Sequence, residues 1–182
     1  MASEIIVQTL KGPTSGANAN KVIIPSGQTL DIDAWSPPAG TVLQVVSATS
    51  ETAGGTTSTS FVSYMSASIT PSSTSSKILL IFSAPLGYED FRGGSSFYHF
   101  LTFFRDSTDL GRSNGNGITG TYQFAVSYND FPLNNGGMHL LDSPNSTSAI
   151  SYSVRHKVNT SSASATMNLD GVAHFTLMEI AG

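Results

Sequence analysis

The feature that most constrains the fold is an alternation of apolar and polar residues with a period of two, which recurs along most of the chain. It is clearest in "SYMSASIT" (residues 63–70), "TYQFAVSY" (residues 121–128) and "ISYSVRHKV" (residues 150–158). Successive side chains of a β-strand point to opposite faces, so this pattern predicts half-buried antiparallel strands. The apolar face of the third segment comprises Ile150, Tyr152, Val154, His156 and Val158.

Two further runs, "KILLIFSA" (residues 77–84) and "FYHFLTFF" (residues 97–104), are apolar on both faces. We expect each to contact the core on one face and a further layer or a neighbouring subunit on the other. The final run, "AHFTLMEIA" (residues 173–181), predicts a terminal strand that closes the sheet.

Clusters of Gly, Pro, Ser and Asn separate the strands, as in "ETAGGTTST", "RSNGNG", "LNNGGM" and "DSPNSTS", and are typical of turns. No segment of helical length carries apolar residues at i, i+3, i+4 and i+7. The cluster "PSSTSS" (residues 71–76) separates two strands that could not bury their faces alone, so it is a turn and not an interdomain linker. These patterns predict an all-β antiparallel sandwich.

The first forty residues differ from the rest because they offer only short strand fragments among Gly, Pro and Asn. We predict an extended N-terminal arm at residues 1–40, for attachment and oligomerisation, and a globular head at residues 41–182. The alternative, that the arm supplies the first strands of the sandwich, stays open. The candidate docking residues of the arm are Ile5, Val7, Leu10, Val22, Ile24 and Trp35.

The charge and the cysteine content exclude several classes of function. A net charge of −4, with only 11% charged residues, leaves no basic footprint for nucleic acid. The absence of Cys excludes disulfides, thiolate metal sites and a Cys nucleophile. The N-terminus lacks the pattern of a signal peptide, and no apolar run reaches the roughly 18 residues of a membrane span. We therefore expect synthesis in a reducing cytoplasm and no membrane insertion.

No motif predicts a catalytic, cofactor-binding or metal-binding residue. "GNGITG" (residues 115–120) matches GxGxxG but leads into a strand, whereas a dinucleotide site needs a helix there. The four histidines, at positions 99, 139, 156 and 174, lack metal-ligand spacing, although convergence of three copies around a trimer axis stays open. We predict a protein without enzymatic activity and without a cofactor.

Two segments combine aromatic and charged residues with glycines that permit unusual backbone shapes: "PLGYEDFRGGSSFYHF" (residues 85–100) and "SYNDFPLNNGG" (residues 127–137). Such loops suit recognition of a sugar or a protein. The alternative, surface loops whose aromatic side chains pack onto the sandwich, stays open. The candidate receptor or partner contacts are Tyr88, Asp90, Phe91, Arg92, Tyr128, Asp130 and Phe131.

Several quoted segments resemble a family of bacteriophage virion proteins of the tail-fibre type, common in marine and cyanobacterial phages. They are "LKGPTSGANANKVIIPSGQTLDI", "GTVLQVVSAT", "SFVSYMSASITPSSTSSKILLIFSA", the segment "RDSTDL" from Arg105 to Leu110, "LDSPNSTSAISYSV" and "FTLMEIAG". The resemblance covers nearly the whole chain and is weakest at residues 85–100 and 111–138.

The resemblance implies a homotrimeric appendage on the surface of a phage particle, made in the bacterial cytoplasm. The head would be a jelly roll similar to those of C1q and tumour necrosis factor. The arm would dock to other virion proteins, and the loops would face a host glycan or protein. Two alternatives stay open: a capsid decoration or cement protein without a receptor role, and, more weakly, a glycan-cleaving enzyme, for which the chain has no β-helix repeat.

Overall fold

The computed structural model describes residues 12–19, 21–23, 25–27, 36–90, 97–123 and 133–182. In these ranges the regular structure is entirely β, and no helix has the length and hydropathy needed to cross a membrane. The strands are β1 (Val42–Ser50), β2 (Gly54–Thr56), β3 (Val62–Ile69), β4 (Lys77–Asp90), β5 (Phe97–Arg105), β6 (Thr108–Asp109), β7 (Thr119–Gln123), β8 (Leu133–Asp142), β9 (Ile150–Val158), β10 (Ala163–Met167) and β11 (Ala173–Ile180).

Every strand pair is antiparallel, and several short strands continue one another along the edge of a longer neighbour. Strands β10 and β11 both pair with one edge of β4, while β8 occupies its other edge. Strands β1 and β2 then line the far side of β11 and β10. In the second sheet, β6 and β7 share the edge of β5 that faces away from β9. Counting each continued pair as one line, the described strands form eight lines.

The pairing of these lines defines a jelly roll. In chain order, the first line (β1 with β2) pairs with the eighth (β10 with β11), and the second (β3) pairs with the seventh (β9). The third (β4) pairs with the sixth (β8), and the fourth (β5) pairs with the fifth (β6 with β7). The chain thus folds back as one antiparallel ribbon, which rolls into two sheets with line orders 1-8-3-6 and 2-7-4-5. This is the double Greek key of a jelly-roll sandwich, so the predicted fold class is confirmed.

The inward residues of both sheets form one core, as the alternating pattern predicted. In β9 the predicted apolar face, from Ile150 to Val158, is buried at every second position. Rings from opposite sheets meet in the core: Phe103 of β5 stacks on Phe175 of β11, with centroids 5.5 Å apart. Full burial of such a side chain contributes about 1.5–3 kcal/mol, so this shared core holds the two sheets together.

The segment "PSSTSS" is a connection within one domain, as predicted, because it carries the chain from β3 in the second sheet to β4 in the first. Glu179 of β11 holds this connection in place. Its carboxylate accepts hydrogen bonds from the backbone N and the Oγ of Ser72, both at 2.7 Å, and from Nε2 of Gln44 at 2.6 Å. Burial alone would raise the pKa of Glu179, but these hydrogen bonds outweigh it and lower the pKa to about 2.

Two predicted loops are wrong in their bounds. "LNNGGM" lies inside β8, because Gly136 packs its backbone against the buried Leu86 at a site where a side chain has no room. The first part of "PLGYEDFRGGSSFYHF" lies inside β4, which runs to Asp90, and its last four residues lie in β5. In this part of β4, Gly87 leaves room for the side chain of Leu169, which a Cβ at this position would overlap. Both glycines mark close packing in a strand and not a turn.

The chain divides into two compact units, Met1–Ser36 and Pro37–Gly182. In the first unit, a turn closes where the backbone N of Ala19 donates to the carbonyl of Gly16 at 3.1 Å, and the side chain of Val22 is 49% exposed. The other proposed docking residues of the arm, Ile5, Val7, Leu10, Ile24 and Trp35, lie outside the described residues. The attachment role of the arm stays a prediction.

Candidate assembly and binding surfaces

The outer face of the first sheet carries a row of four apolar side chains, one from each line. The strand register places Val45 beside Met178, Met178 beside Leu79, and Leu79 beside Leu141. The two outer members, Val45 and Leu141, are 54% and 51% exposed, and the two central members are half-buried. With neighbouring strands about 4.8 Å apart, this row is about 14 Å wide. We call it the apolar row.

The residues around the apolar row extend it and add little charge. Val42 lies beside Ile180 on one side, and Ile81 projects outward on the other, where Ser47 and Thr176 share a hydrogen bond of 3.2 Å. Beyond them, the outward positions hold mostly small or polar residues. An exposed lysine, Lys77, lies at the start of β4. A contiguous apolar patch on a sheet face is typical of a contact surface.

The outer face of the second sheet is different, because aromatic rings and cations lie together on it. Lys157 Nζ is 4.7 Å from the ring centroid of Phe61 and 5.6 Å from that of Phe100. Arg155 lies over Phe104, with Cζ 4.0 Å from its centroid, and Phe61 meets Phe104 edge to face at 6.1 Å. We call these five residues the aromatic–cation cluster.

Tyr98 borders this cluster on β5. Its ring is parallel to that of Phe100 within 5°, with centroids 5.6 Å apart, and the residue is 42% exposed. Further along the same strand, Thr102 points to this face but is fully buried, and its hydroxyl donates to Asp109 of β6 at 2.7 Å. Tyr98 is therefore the most exposed ring on this face, and the residues of the aromatic–cation cluster are half-buried.

The core contains a pair of histidines that the sequence did not reveal as a pair. Nε2 of His99 on β5 lies 3.1 Å from Nδ1 of His156 on β9, and both residues are buried. Burial and the nearby His156 lower the pKa of His99 to about 3, and burial lowers the pKa of His156 to about 4. Both rings are therefore neutral at pH 7. Among the described residues, no three His, Asp or Glu side chains converge as metal ligands would.

The residues predicted to contact a receptor fall into two groups. For Tyr88 the prediction is wrong. This residue lies on β4 with 2% of its surface exposed, and its ring contacts those of Phe97 and His99 in the core. It is buried because β4 continues through it with the side chain pointing inward, so it presents no surface to a partner. Asp90 ends β4, and the remaining candidates, Phe91, Arg92, Tyr128, Asp130 and Phe131, lie outside the described residues.

Among known proteins, those similar to this chain are solved structures. No family model and no curated protein matches it. Solved structures similar to it include the infectious bursal disease virus VP2 subviral particle, with a TM-score of 0.35 and 13% identity over 93% of this chain and 45% of that one. A second is the Gt strain of the same virus, with a TM-score of 0.34 and 12% identity over 93% and 46%.

The chain spans less than half the length of these solved structures. TM-scores this low establish neither a common fold nor a common function. The jelly-roll assignment therefore rests on the strand pairing described above, and the function has to be argued from the surfaces.

Proposed function

We propose that this chain is a non-enzymatic structural subunit of a bacteriophage particle, a homotrimeric appendage of the tail-fibre type. Its arm, residues 1–40, would dock to other virion proteins, and its loops would face the host surface. The resemblance of the quoted segments to phage virion proteins supports the setting. The observation that carries the proposal is the apolar row on the outer face of the first sheet, which is exposed in a single chain.

Association of three copies through this face would bury apolar side chains that one chain leaves in water. Val42, Val45, Ile81 and Leu141 are each between 39% and 54% exposed. Covering them would contribute about 3–6 kcal/mol per subunit, since full burial of such a side chain is worth about 1.5–3 kcal/mol. That amount is a substantial fraction of the roughly 5–15 kcal/mol by which a single domain is stable.

A second and third copy of the same chain are the occupants that suit this face. Its central residues are uncharged, so like faces can approach one another although each chain carries a net charge of −4. Cyclic symmetry about a threefold axis brings the same face of every subunit toward that axis. This arrangement also gives a reason for the apolar outward positions of "KILLIFSA", which the sandwich core does not use.

Native mass by light scattering across a dilution series tests the proposal. We expect the purified chain to have three times the mass of one chain, and the double variant Val45→Glu/Leu141→Glu to be monomeric with a cooperative thermal transition. The matched control is Ser66→Glu/Ser68→Glu, which places the same two charges at exposed positions of the second sheet and should leave the trimer intact.

A monomeric wild-type chain at all concentrations would overturn the trimer and favour the decoration protein, ordered only on a larger shell. If the double variant stays trimeric, the trimer stands but its interface is not this face.

A further inference from the structure

We propose that the outer face of the second sheet is a binding site for an acidic polysaccharide, one with carboxylate groups on its sugar rings. The site consists of Tyr98 and the aromatic–cation cluster. The inference rests on the proposed function only for its setting, a host surface. None of the site's residues is among those that the sequence predicted to contact a receptor. Its test is a binding measurement, independent of oligomeric state.

The cations of this site are held in position without being neutralised. The ammonium of Lys157 sits against the rings of Phe61 and Phe100, and the guanidinium of Arg155 sits over Phe104. A cation–π contact restrains a long side chain but leaves its full charge in place. Because the rotamers are already restricted, an incoming anion pays less side-chain entropy to bind them.

The carboxylates near these cations are engaged elsewhere. Oδ1 of Asp109 accepts from Thr102 and from the backbone N of Gly111 at 2.8 Å, and Oδ1 of Asp106 accepts from the backbone N of Ser151 at 3.1 Å. Among the side chains that the structure describes, neither Arg155 nor Lys157 forms an ion pair. Arg155 donates instead to Oγ of Ser153 at 3.1 Å and to the backbone carbonyl of Asp106 at 3.4 Å. Both cations can therefore still pair with the carboxylate of an incoming ligand.

The rings beside these cations favour a saccharide over other anions. Tyr98 and Phe100 are alternate outward residues of β5 with parallel rings, and the 42% exposed Tyr98 presents apolar ring surface on which the C–H groups of a sugar can pack. Lys157 lies directly opposite Phe100 in the strand register. A sugar packed here would therefore place its carboxylate beside the ammonium. The Arg155 guanidinium, two residues earlier on β9, is a planar partner for a second carboxylate.

Calorimetric titration of the full chain with polygalacturonate, at low and at high salt, tests the site, with dextran as the neutral polysaccharide and polyglutamate as the acidic peptide. We expect binding to polygalacturonate that weakens as salt screens the charges, and at least tenfold weaker binding to the other two polymers. Lys157→Gln and Tyr98→Ala should each reduce the affinity at least tenfold, and Lys157→Arg should restore most of it. Lys77→Gln, an exposed cation of the first sheet, is the matched control and should change nothing.

Absence of polygalacturonate binding at low salt would overturn the inference, and so would an equal loss in the Lys77→Gln control, which would indicate attraction by charge alone. Equal or tighter binding to polyglutamate would assign the site to an acidic peptide instead. Light scattering of the same samples separates this result from the assembly proposal. A monomer that binds the polysaccharide would contradict only the trimer, and a trimer that does not bind it would contradict only the binding site.

Discussion

Arg105 and Asp142 tie the two sheets together where β5 and β8 end. Nη1 of Arg105, in the second sheet, lies 3.0 and 2.9 Å from the two carboxylate oxygens of Asp142, in the first. Tyr152 of β9 donates its hydroxyl to the same carboxylate at 2.7 Å. Burial, followed by the bond to Asp142, raises the pKa of Tyr152, so this hydroxyl remains protonated and donates.

Replacement of Asp142 by Ala is therefore expected to lower the free energy of unfolding by about 2–4 kcal/mol. The variant leaves the buried Tyr152 hydroxyl and a partly buried Arg105 guanidinium without their acceptor. Urea unfolding followed by fluorescence measures this loss. Glu51→Ala, which removes an exposed carboxylate between β1 and β2, is the control and should stay within about 0.5 kcal/mol. If Asp142→Ala lowers the free energy of unfolding no more than the control does, the bonds of Asp142 to Arg105 and Tyr152 add no stability.

The buried pair His99 and His156 makes stability depend on pH. Their pKa values in the folded chain, about 3 and about 4, lie below the ordinary 6.5, so the unfolded chain binds protons more readily. Their contribution is complete above pH 6.5 and is lost as the pH falls toward 4 and then 3. Between pH 6 and pH 5 we expect the free energy of unfolding to fall by about 2 kcal/mol.

Chemical unfolding at these two pH values measures the slope. Glu179 contributes nothing in this interval, because its pKa falls from 4.5 to about 2 on folding and its stabilisation is lost only below about pH 4.5. The double variant His99→Gln/His156→Gln should lose most of the slope, and His139→Gln, on the exposed outer face, should keep it. An unchanged slope in the double variant would mean that other groups take up the protons.

Gly136 and Gly137 are neighbours in β8 with opposite tolerance for a side chain. A Cβ on Gly136 would lie 2.8 Å from Cγ of the buried Leu86, whereas a Cβ on Gly137 would meet its nearest atom, the carbonyl oxygen of Phe82, at 3.5 Å. We expect Gly136→Ala to destabilise the protein by about 1–3 kcal/mol, because the core has to shift. Gly137→Ala should be within about 0.5 kcal/mol of wild type or slightly more stable. Thermal unfolding of the two variants compares them, and equal melting temperatures would show that Leu86 yields without cost.

The segment "LNNGGM" was predicted to be a turn because of its glycines and asparagines, but it lies in β8. A glycine in a turn supplies backbone freedom, and a glycine in a strand supplies room for a neighbour, but the two look alike in a single sequence. Gly136 faces Leu86, which lies fifty positions earlier, so local composition could not distinguish the two roles. The same limit applies to Tyr88, whose segment looked like a loop until its strand partners in β10 and β8 were known.

The sequence by itself determined the all-β class, the inward face of β9 and the role of "PSSTSS" as a connection, because alternation with a period of two and turn chemistry are local properties. The tertiary structure decided which strands are neighbours and in what register. That step brought His99 to His156, aligned Val45 with Leu141 through two intervening strands, and set Lys157 between Phe61 and Phe100. Each of these relationships joins residues dozens of positions apart, and the cooperative packing of the two sheets, not any local preference, selects the register that brings them together.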